Sequence, residues 1–317
     1  AECEMSRSLW LDCSAGASGN MLLAALVDLG CERDWLDRQL GELPLGQWRI
    51  DYQQVARGGI RSLHLDVCCS DEGHHRSWAM IREMLASLPL NPKTIDRARR
   101  VFTRLAEAEA RIHGCDADEV VFHEVGAVDS IVDILGVCLA LEHLDVETIY
   151  VGSLGLGHGS VQCMHGTIPL PSPATLQLVE GWQVVPLEIA SECLTPTGAA
   201  LVTSLGTQSP RQAGRVVKTG YGAGSRVDGP RPNVVRASLV EERGEVSHDS
   251  VVELRANIDD MSAETLAFVM QKAMLEGALD AWICPAVMKK GRPGHIVHVL
   301  VPTEQEDYFR EFLLRQS

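Results

Sequence analysis

The chain has 317 residues, 45% of them hydrophobic, with 28 Lys plus Arg against 43 Asp plus Glu and a formal net charge of -15. That length exceeds what one hydrophobic core usually serves and predicts two domains, while the acidic balance argues against nucleic acid or an anionic membrane as a partner. No apolar run reaches the roughly 18 residues of a membrane helix, no secretory leader is expected, and the ten cysteines contain no C-x-x-C pair, so reduced core thiols in a cytoplasmic protein are the expectation.

Ser8 to Cys13 reads as a strand that enters the small-residue loop Ser14 to Gly19, ahead of an apolar helix from about Met21 that Gly30 ends. In outline this is a strand-loop-helix cradle for a phosphate, with Ser18, Gly19 and Asn20 at the helix start. From Ile60 to Cys69, Leu63, Leu65, Val67 and Cys69 alternate with Ser62, His64, Asp66 and Cys68, predicting a half-buried strand with His64 on its polar face. His74-His75 precedes an apparent helix and either recruits metal or forms a solvated turn. Asn91-Pro92 caps a long helix carrying Val101, Phe102, Leu105 and Ile112, which Gly114 closes.

The strongest cluster runs from Phe122 to Asp133 and continues into an apolar helix through Ile134, Leu135, Val137, Leu139 and Leu141. Asp129 and Asp133 stand four apart on one helical face. The helix is apolar nearly all round and so expected to be buried, where two unpaired carboxylates cost on the order of several kcal/mol unless a cation or hydrogen bonds compensate. Either a metal answers both, or Asp129 caps the helix and Asp133 pairs with an Arg; His123 and Glu124 just upstream favour the metal. In the glycine-rich run Gly155 to Gly166, His158, Cys163 and His165 offer borderline-soft ligands or serve as turn residues, with His165 the first choice as a ligand.

Ser172-Pro173 and Thr195-Pro196 open two further helices, whose free first-turn N–H groups either hold an anion or are ordinary helix starts; Thr195 and Thr197 are the candidate contacts of the second. Gly220 to Arg226 offers backbone N–H groups and an Arg to a phosphate but matches neither the P-loop nor the dinucleotide fingerprint. The charged stretch Glu241 to Asp249 reads as a linker and divides the chain into domains 1–243 and 244–317. Beyond it the pattern is βαββα, one strand short of a ferredoxin-like module. The predicted fold class is thus α/β (α+β), a larger N-terminal α/β domain plus a ferredoxin-like C-terminal unit expected to be incomplete. Asn257, Asp259 and Asp260 end its first strand and are suited to a divalent ion. Lys289, Lys290 and Arg292 gather between its last two strands as an anion clamp, or else as a basic hairpin kept soluble by charge.

These motifs, in order, resemble the nickel-pincer cofactor biosynthesis family LarC along nearly the whole chain. The matching blocks are Leu11 to Met21, His123 to Asp133, His165-Gly166-Thr167, Pro171 to Thr175, Thr195 to Ala200, Gly220 to Gly224, Arg231-Pro232-Asn233, Asn257 to Met261 and Met288 to Gly294. The resemblance implies insertion of nickel into pyridinium bisthiocarboxylic acid mononucleotide, forming one Ni–C and two Ni–S bonds, with CTP cleaved to CMP and pyrophosphate and the product passed to a lactate-racemase-type apoenzyme. It implies a C-terminal domain that oligomerises and binds CTP with Mg²⁺ or Mn²⁺, with Lys289, Lys290 and Arg292 on the phosphates and Asn257, Asp259 and Asp260 beside them. Under it, Asp12, His123, Glu124, Asp129, Asp133 and His165 stage Ni²⁺, the helix starts hold the substrate phosphate, and His64 or Glu124 takes the ring proton. Asn20 stands where the family pattern usually has Asp, the histidine tract is short, and the family's C-terminal domain continues past the position of Ser317. A metal-dependent nucleotide phosphohydrolase and a non-enzymatic nickel store or chaperone are the competing expectations.

Overall fold

The computed structural model describes residues 6–69, 76–122, 126–163, 166–209, 214–227, 229–242 and 251–316. The chain divides into two compact units, Ala1–Gly244 and Glu245–Ser317. The first unit runs β1 (Ser6–Asp12), α1 (Gly19–Leu29), α2 (Arg33–Gly41), β2 (Trp48–Arg57), β3 (Ile60–Cys69), β4 (Arg76–Ser77), α3 (Trp78–Ser87), α4 (Pro92–His113) and β5 (Val121–Phe122). It continues through α5 (Val128–His143), β6 (Thr148–Val151), β7 (Leu154–Leu156), β8 (Gly159–Cys163), β9 (Gly166–Leu170), α6 (Pro173–Leu178), β10 (Val184–Pro186), α7 (Pro196–Leu205), β11 (Thr207–Gln208), β12 (Arg215–Ala223) and β13 (Val234–Glu242). Seven of these strands form one mixed sheet in the order β11-β6-β1-β13-β12-β3-β2.

Helix α1 lies against β3, β12 and β13, α5 lies on α1, and α4 covers α5 together with packing on α6 and α7. This layering places α5 inside the unit, and every residue from Ile131 to Leu141 is buried, which is why the sequence is apolar nearly all round. The helix ends follow local chemistry. The Asn91 side chain accepts from Lys93 N at 2.9 Å at the start of α4, and Gly114 closes that helix in the left-handed region. The Thr195 hydroxyl accepts from Gly198 N at 3.1 Å at the start of α7.

Two expectations need correction. Strand β3 is more deeply buried at its middle than alternation predicts: Ser62, Leu63, His64 and Leu65 are all buried, with β2 paired on one side, β12 on the other and α1 on the Leu63 face. His64 is therefore buried, although it shares its face of the strand with the exposed Asp66. The glycines of the Gly220–Gly224 run do not form a phosphate loop. Gly220 and Gly222 lie inside β12, where a Cβ would fall 2.3 Å from Leu29 N and 1.9 Å from Met21 O. Their missing side chains let α1 settle directly on the strand.

The second unit comprises β14 (Val251–Ile258), α8 (Ala263–Leu275), β15 (Asp280–Val287), β16 (Pro293–Pro302) and α9 (Glu306–Gln316), a βαββα order. Its sheet has the order β14-β16-β15, antiparallel throughout. Val297, Val299 and Val301 of the middle strand meet Leu266, Val269, Phe309 and Phe312 of the helices in its core. The protein is thus of mixed α/β class. Cys13, Cys31, Cys68, Cys69, Cys115, Cys138, Cys193 and Cys284 are free, burial pushes the Cys138 thiol up to about 12, and among the described residues no helix is long and apolar enough to cross a membrane.

Candidate metal and phosphate site

The site is built where the first turn of α1 meets α5. Gly19 opens α1, and a Cβ there would lie 2.6 Å from Asp133 Oδ2 and 3.0 Å from the Thr197 methyl. Only glycine lets the α5 carboxylate and α7 reach the helix start together. Residues 17–18 are also tied to the start of α7: Ala17 bridges Leu194 in parallel fashion, and Thr195 N donates to Ala17 O at 3.0 Å. The N-termini of α1 and α7 therefore converge on Asp133, with Thr197 buried between them.

Asp133 is only 8% exposed. Burial pushes its carboxyl well above the ordinary carboxylate range, the negative charges of Asp129 and Asp66 push the same way, and the hydrogen bond donated by the Asn20 backbone N–H opposes them without prevailing. Its Oδ1 is buried and has no hydrogen-bond partner among the described residues, and no Lys or Arg pairs with it among them. A buried acceptor left open costs about 1–3 kcal/mol. The group is thus set to hold either a proton or a cation.

Around it, Ser18 Oγ donates to Asn20 Oδ1 at 2.5 Å, and Asn20 Nδ2 donates to Leu65 O at 3.0 Å. An Asp at this position has no donor for that carbonyl, so Asn20 gives up a charge and gains a tie between α1 and β3. His64 is held from both ring nitrogens, with Nδ1 2.9 Å from Ala223 O and Nε2 3.0 Å from Asp66 Oδ2. A carbonyl oxygen only accepts, so Nδ1 carries a proton, and Nε2 faces an acidic oxygen. Asp129 is exposed and accepts from Ser130 N at 2.7 Å, while the N-cap position of α5 falls to Ala127.

Asp12, the remaining described member of the expected metal set, is engaged elsewhere. It pairs with Arg236 Nη2 at 2.8 Å and accepts from Ser14 N at 3.1 Å. It lines a cleft of about 180 Å³ with Ser14, Tyr221, Arg231 and Arg236, and Arg236 also lies over the Trp10 ring. His123, Glu124 and His165, like His74 and His75, lie outside the described residues. Among the described residues no three His, Cys, Asp or Glu side chains gather closely enough to hold a metal by themselves. His158 is exposed, and its backbone N donates to Ile189 O at 2.9 Å.

Two contributors escaped the sequence reading. Asp66 sits two residues from His64 on one strand, so period-2 spacing already put the pair on one face. Arg236 had no local signal, since its partner Asp12 is 224 residues away and is brought opposite it by the pairing of β1 with β13. In the second unit, Asn257, Asp259, Asp260, Lys289, Lys290 and Arg292 are all exposed. The turn after β15 folds back through Met288 N to Arg292 O at 2.8 Å, and Arg292 Nη1 stands 4.0 Å from Asp259 Oδ2. The acidic end of β14 and the basic turn thus face each other.

A family model described as nickel insertion protein matches residues 9–317. The chain is 45% identical to the pyridinium-3,5-bisthiocarboxylic acid mononucleotide nickel insertion protein of Akkermansia muciniphila, over 98% of this chain and 79% of that one. It is 38% identical to the protein of the same description from Staphylococcus epidermidis over 99% and 79%, and 40% identical to a putative nickel insertion protein of Geotalea daltonii over 98% and 80%. A solved structure of LarC2, the C-terminal domain of a cyclometallase involved in synthesis of the NPN cofactor of lactate racemase, matches at 33% identity over 21% of this chain and 46% of that one, with a TM-score of 0.21.

Proposed function

The chain belongs to the nickel insertion protein family, and from that membership we propose that it inserts Ni²⁺ into pyridinium-3,5-bisthiocarboxylic acid mononucleotide. The observation that carries this reading within the structure is Asp133: a buried carboxylate with an open oxygen, fixed at the convergence of two helix N-termini. Ni²⁺ is a substrate of the reaction. Bound at Asp133 it replaces the proton that burial otherwise favours, and it neutralises the charge that Asp129 and Asp66 accumulate there. His123, Glu124 and His165 are the further ligands we assign, with Asp12 receiving the ion nearer the surface; imidazole and carboxylate suit nickel.

The substrate phosphate takes the first turns of α1 and α7, at Ser18, Gly19, Asn20, Thr195 and Thr197, where backbone N–H groups and helix dipoles favour an anion. One Asn20 N–H is already given to Asp133. A cation at Asp133 adds positive charge beside those N–H groups, so bound metal should strengthen the phosphate's hold there. Formation of the Ni–C bond releases the ring proton, and His64 and Glu124 are the assigned candidate bases. With both ring nitrogens of His64 facing acceptors, its Nε2 can receive a proton only once Asp66 turns away. His64 thus acts together with Asp66 or leaves the step to Glu124.

The second unit is assigned CTP. Lys289, Lys290 and Arg292 attract the triphosphate, and the oxygen-rich end of β14 at Asn257, Asp259 and Asp260 suits a hard cation such as Mg²⁺ or Mn²⁺. That ion, when bound, offsets the charge of the phosphates. Self-association of this unit and delivery of the product to a lactate-racemase-type apoenzyme in the cytoplasm complete the proposal. The test mixes the protein with Ni²⁺, Mg²⁺ or Mn²⁺, CTP and the precursor, then follows nickel-cofactor formation and CMP release. Stoichiometric appearance of both is expected. CTP cleavage without precursor would point instead to a phosphohydrolase, and metal binding without any turnover to a nickel store.

A further inference from the structure

The first unit carries a second polar cavity, of about 530 Å³, on the face where α4 meets the C-terminal end of α7. Arg99, Arg100 and Arg104 line it with Thr203, Ser204 and Glu107. In a chain of net charge -15, three guanidinium groups against one lining carboxylate make a local inversion of sign, even with Arg99 Nη2 paired to Asp96 beside the cavity at 2.6 Å. Part of this is structural. Arg100 Nη2 donates to Ser204 O at 2.5 Å and Arg104 Nη2 to Leu178 O at 3.0 Å, so these side chains close the C-terminal ends of α7 and α6.

Capping leaves much unexplained. Each guanidinium has five N–H donors; capping uses one at Arg100 and one at Arg104, and Arg99 gives one to Asp96 at 2.6 Å. Arg104 Nε, Thr203 Oγ1 and Ser204 Oγ are all buried and have no hydrogen-bond partner among the described residues. Three open polar groups on residues that line one cavity cost free energy in the empty protein, and side-chain rotation that turns them to a ligand offering several acceptors removes that cost. Guanidinium forks and hydroxyls together match the oxygens of a phosphate. The cavity falls within the roughly 300–1,000 Å³ usual for small-molecule sites and is larger than a free phosphate fills. Glu107 on its wall can accept from a hydroxyl or amino group of the remainder.

We propose that this cavity binds a small phosphate monoester, with Arg99, Arg100, Arg104, Thr203 and Ser204 on the phosphate and Glu107 on the organic part. The site is separate from the metal site at Asp133: it lies at the opposite end of α7, whose ten residues span about 15 Å. Occupancy here bears on the end of the helix whose first turn closes on Gly19.

Titration calorimetry on the full chain with AMP and with inorganic phosphate tests the assignment, alongside the variants Arg99→Gln and Thr203→Val. Thr203→Val removes a hydroxyl without a described partner, so its melting temperature should equal or exceed that of the parent; Arg99 is exposed and its loss should leave the fold intact. Saturable AMP binding is expected, at least tenfold tighter than inorganic phosphate and weakened at least tenfold in each variant. No saturable binding of AMP overturns the proposal, as does binding that both variants leave unchanged, since the nucleotide then sits elsewhere. AMP bound no more tightly than inorganic phosphate overturns the monoester.

Discussion

The two charged regions assigned to chemistry differ in how much the fold invests in them. In the first unit, Asp133 is 8% exposed and stands inside a shell of helices, with a glycine at position 19, where a side chain would displace it. In the second, Asp259, Asp260, Lys289, Lys290 and Arg292 all lie at the surface, and the nearest opposite charges are 4.0 Å apart. A buried, uncompensated carboxylate costs on the order of several kcal/mol, whereas exposed pairs are worth about 0–1 kcal/mol and are screened by salt. A region that keeps a carboxyl buried with an open oxygen is organised for short, directional contacts with a cation. The exposed region is suited to attract a mobile polyphosphate over a Debye length.

The largest expected effect follows from that buried charge. Asp133→Asn keeps an acceptor for the Asn20 N–H but removes the ligand charge. Nickel-cofactor formation should fall by at least ~100-fold, about 2.7 kcal/mol, while the melting temperature at neutral pH holds or rises. Wild-type turnover in this variant would break the contrast between the two regions. Next is Gly222→Ala, whose Cβ would meet Met21 O at 1.9 Å. Overpacking of this kind costs about 2 kcal/mol, so the first unit should melt about 5 °C lower, with a weaker mononucleotide site because α1 is pushed off β12. Calorimetry showing no change would mean that α1 does not need the close approach. Smaller again is joint replacement of Lys289, Lys290 and Arg292 by Gln. CTP affinity should drop about tenfold at low ionic strength and by less as salt is raised, with Ni²⁺ binding unaltered; equal loss of both would show that the regions are not independent.

The same contrast governs what was legible in the sequence. Capped helices such as α4 and α7, and the alternating strands of the second unit, are set by local chemistry, and their residues declare it: Asn91-Pro92 with Gly114, Thr195-Pro196, Val297 to Val301. The apolar helix likewise gave the burial of Asp133, but not the exposure of Asp129 four residues before it at the helix start. Long-range pairing is what local patterns do not carry. Alternation gives the face that His64 shares with Asp66 but not how deeply a position on that face is covered, so the burial of His64 had no local signal. The glycines of β12 suggested a loop because close helix-on-strand packing and phosphate wrapping ask for the same residue. Arg236 had no signal at all, because only the pairing of β1 with β13 brings it to Asp12.

The finest test of the contrast is pH, since the two regions should respond with opposite sign. Burial holds the Asp133 carboxyl well above its ordinary 3.8 in the folded chain. Below that value both folded and unfolded states carry the proton, and the protonated group imposes no penalty. As pH rises past it the unfolded state loses its proton first, so stability falls until the folded-state value is passed, at no more than about 1.4 kcal/mol per pH unit. Glu253 in the second unit behaves in reverse. Its hydrogen bonds from Arg255 and then His298 draw it from 4.5 down to about 2, so its contribution is present above 4.5 and disappears as pH falls towards 2. Melting curves of the metal-free protein and of Asp133→Asn should therefore diverge progressively above about pH 4, the variant becoming relatively more stable. Saturating Ni²⁺ should close that gap in the parent alone, with a proton released on binding and nickel affinity rising with pH. Parallel curves for the two proteins, or nickel binding without proton uptake by the buffer, would leave Asp133 as an ordinary ionised carboxylate and remove the physical basis for placing the metal there.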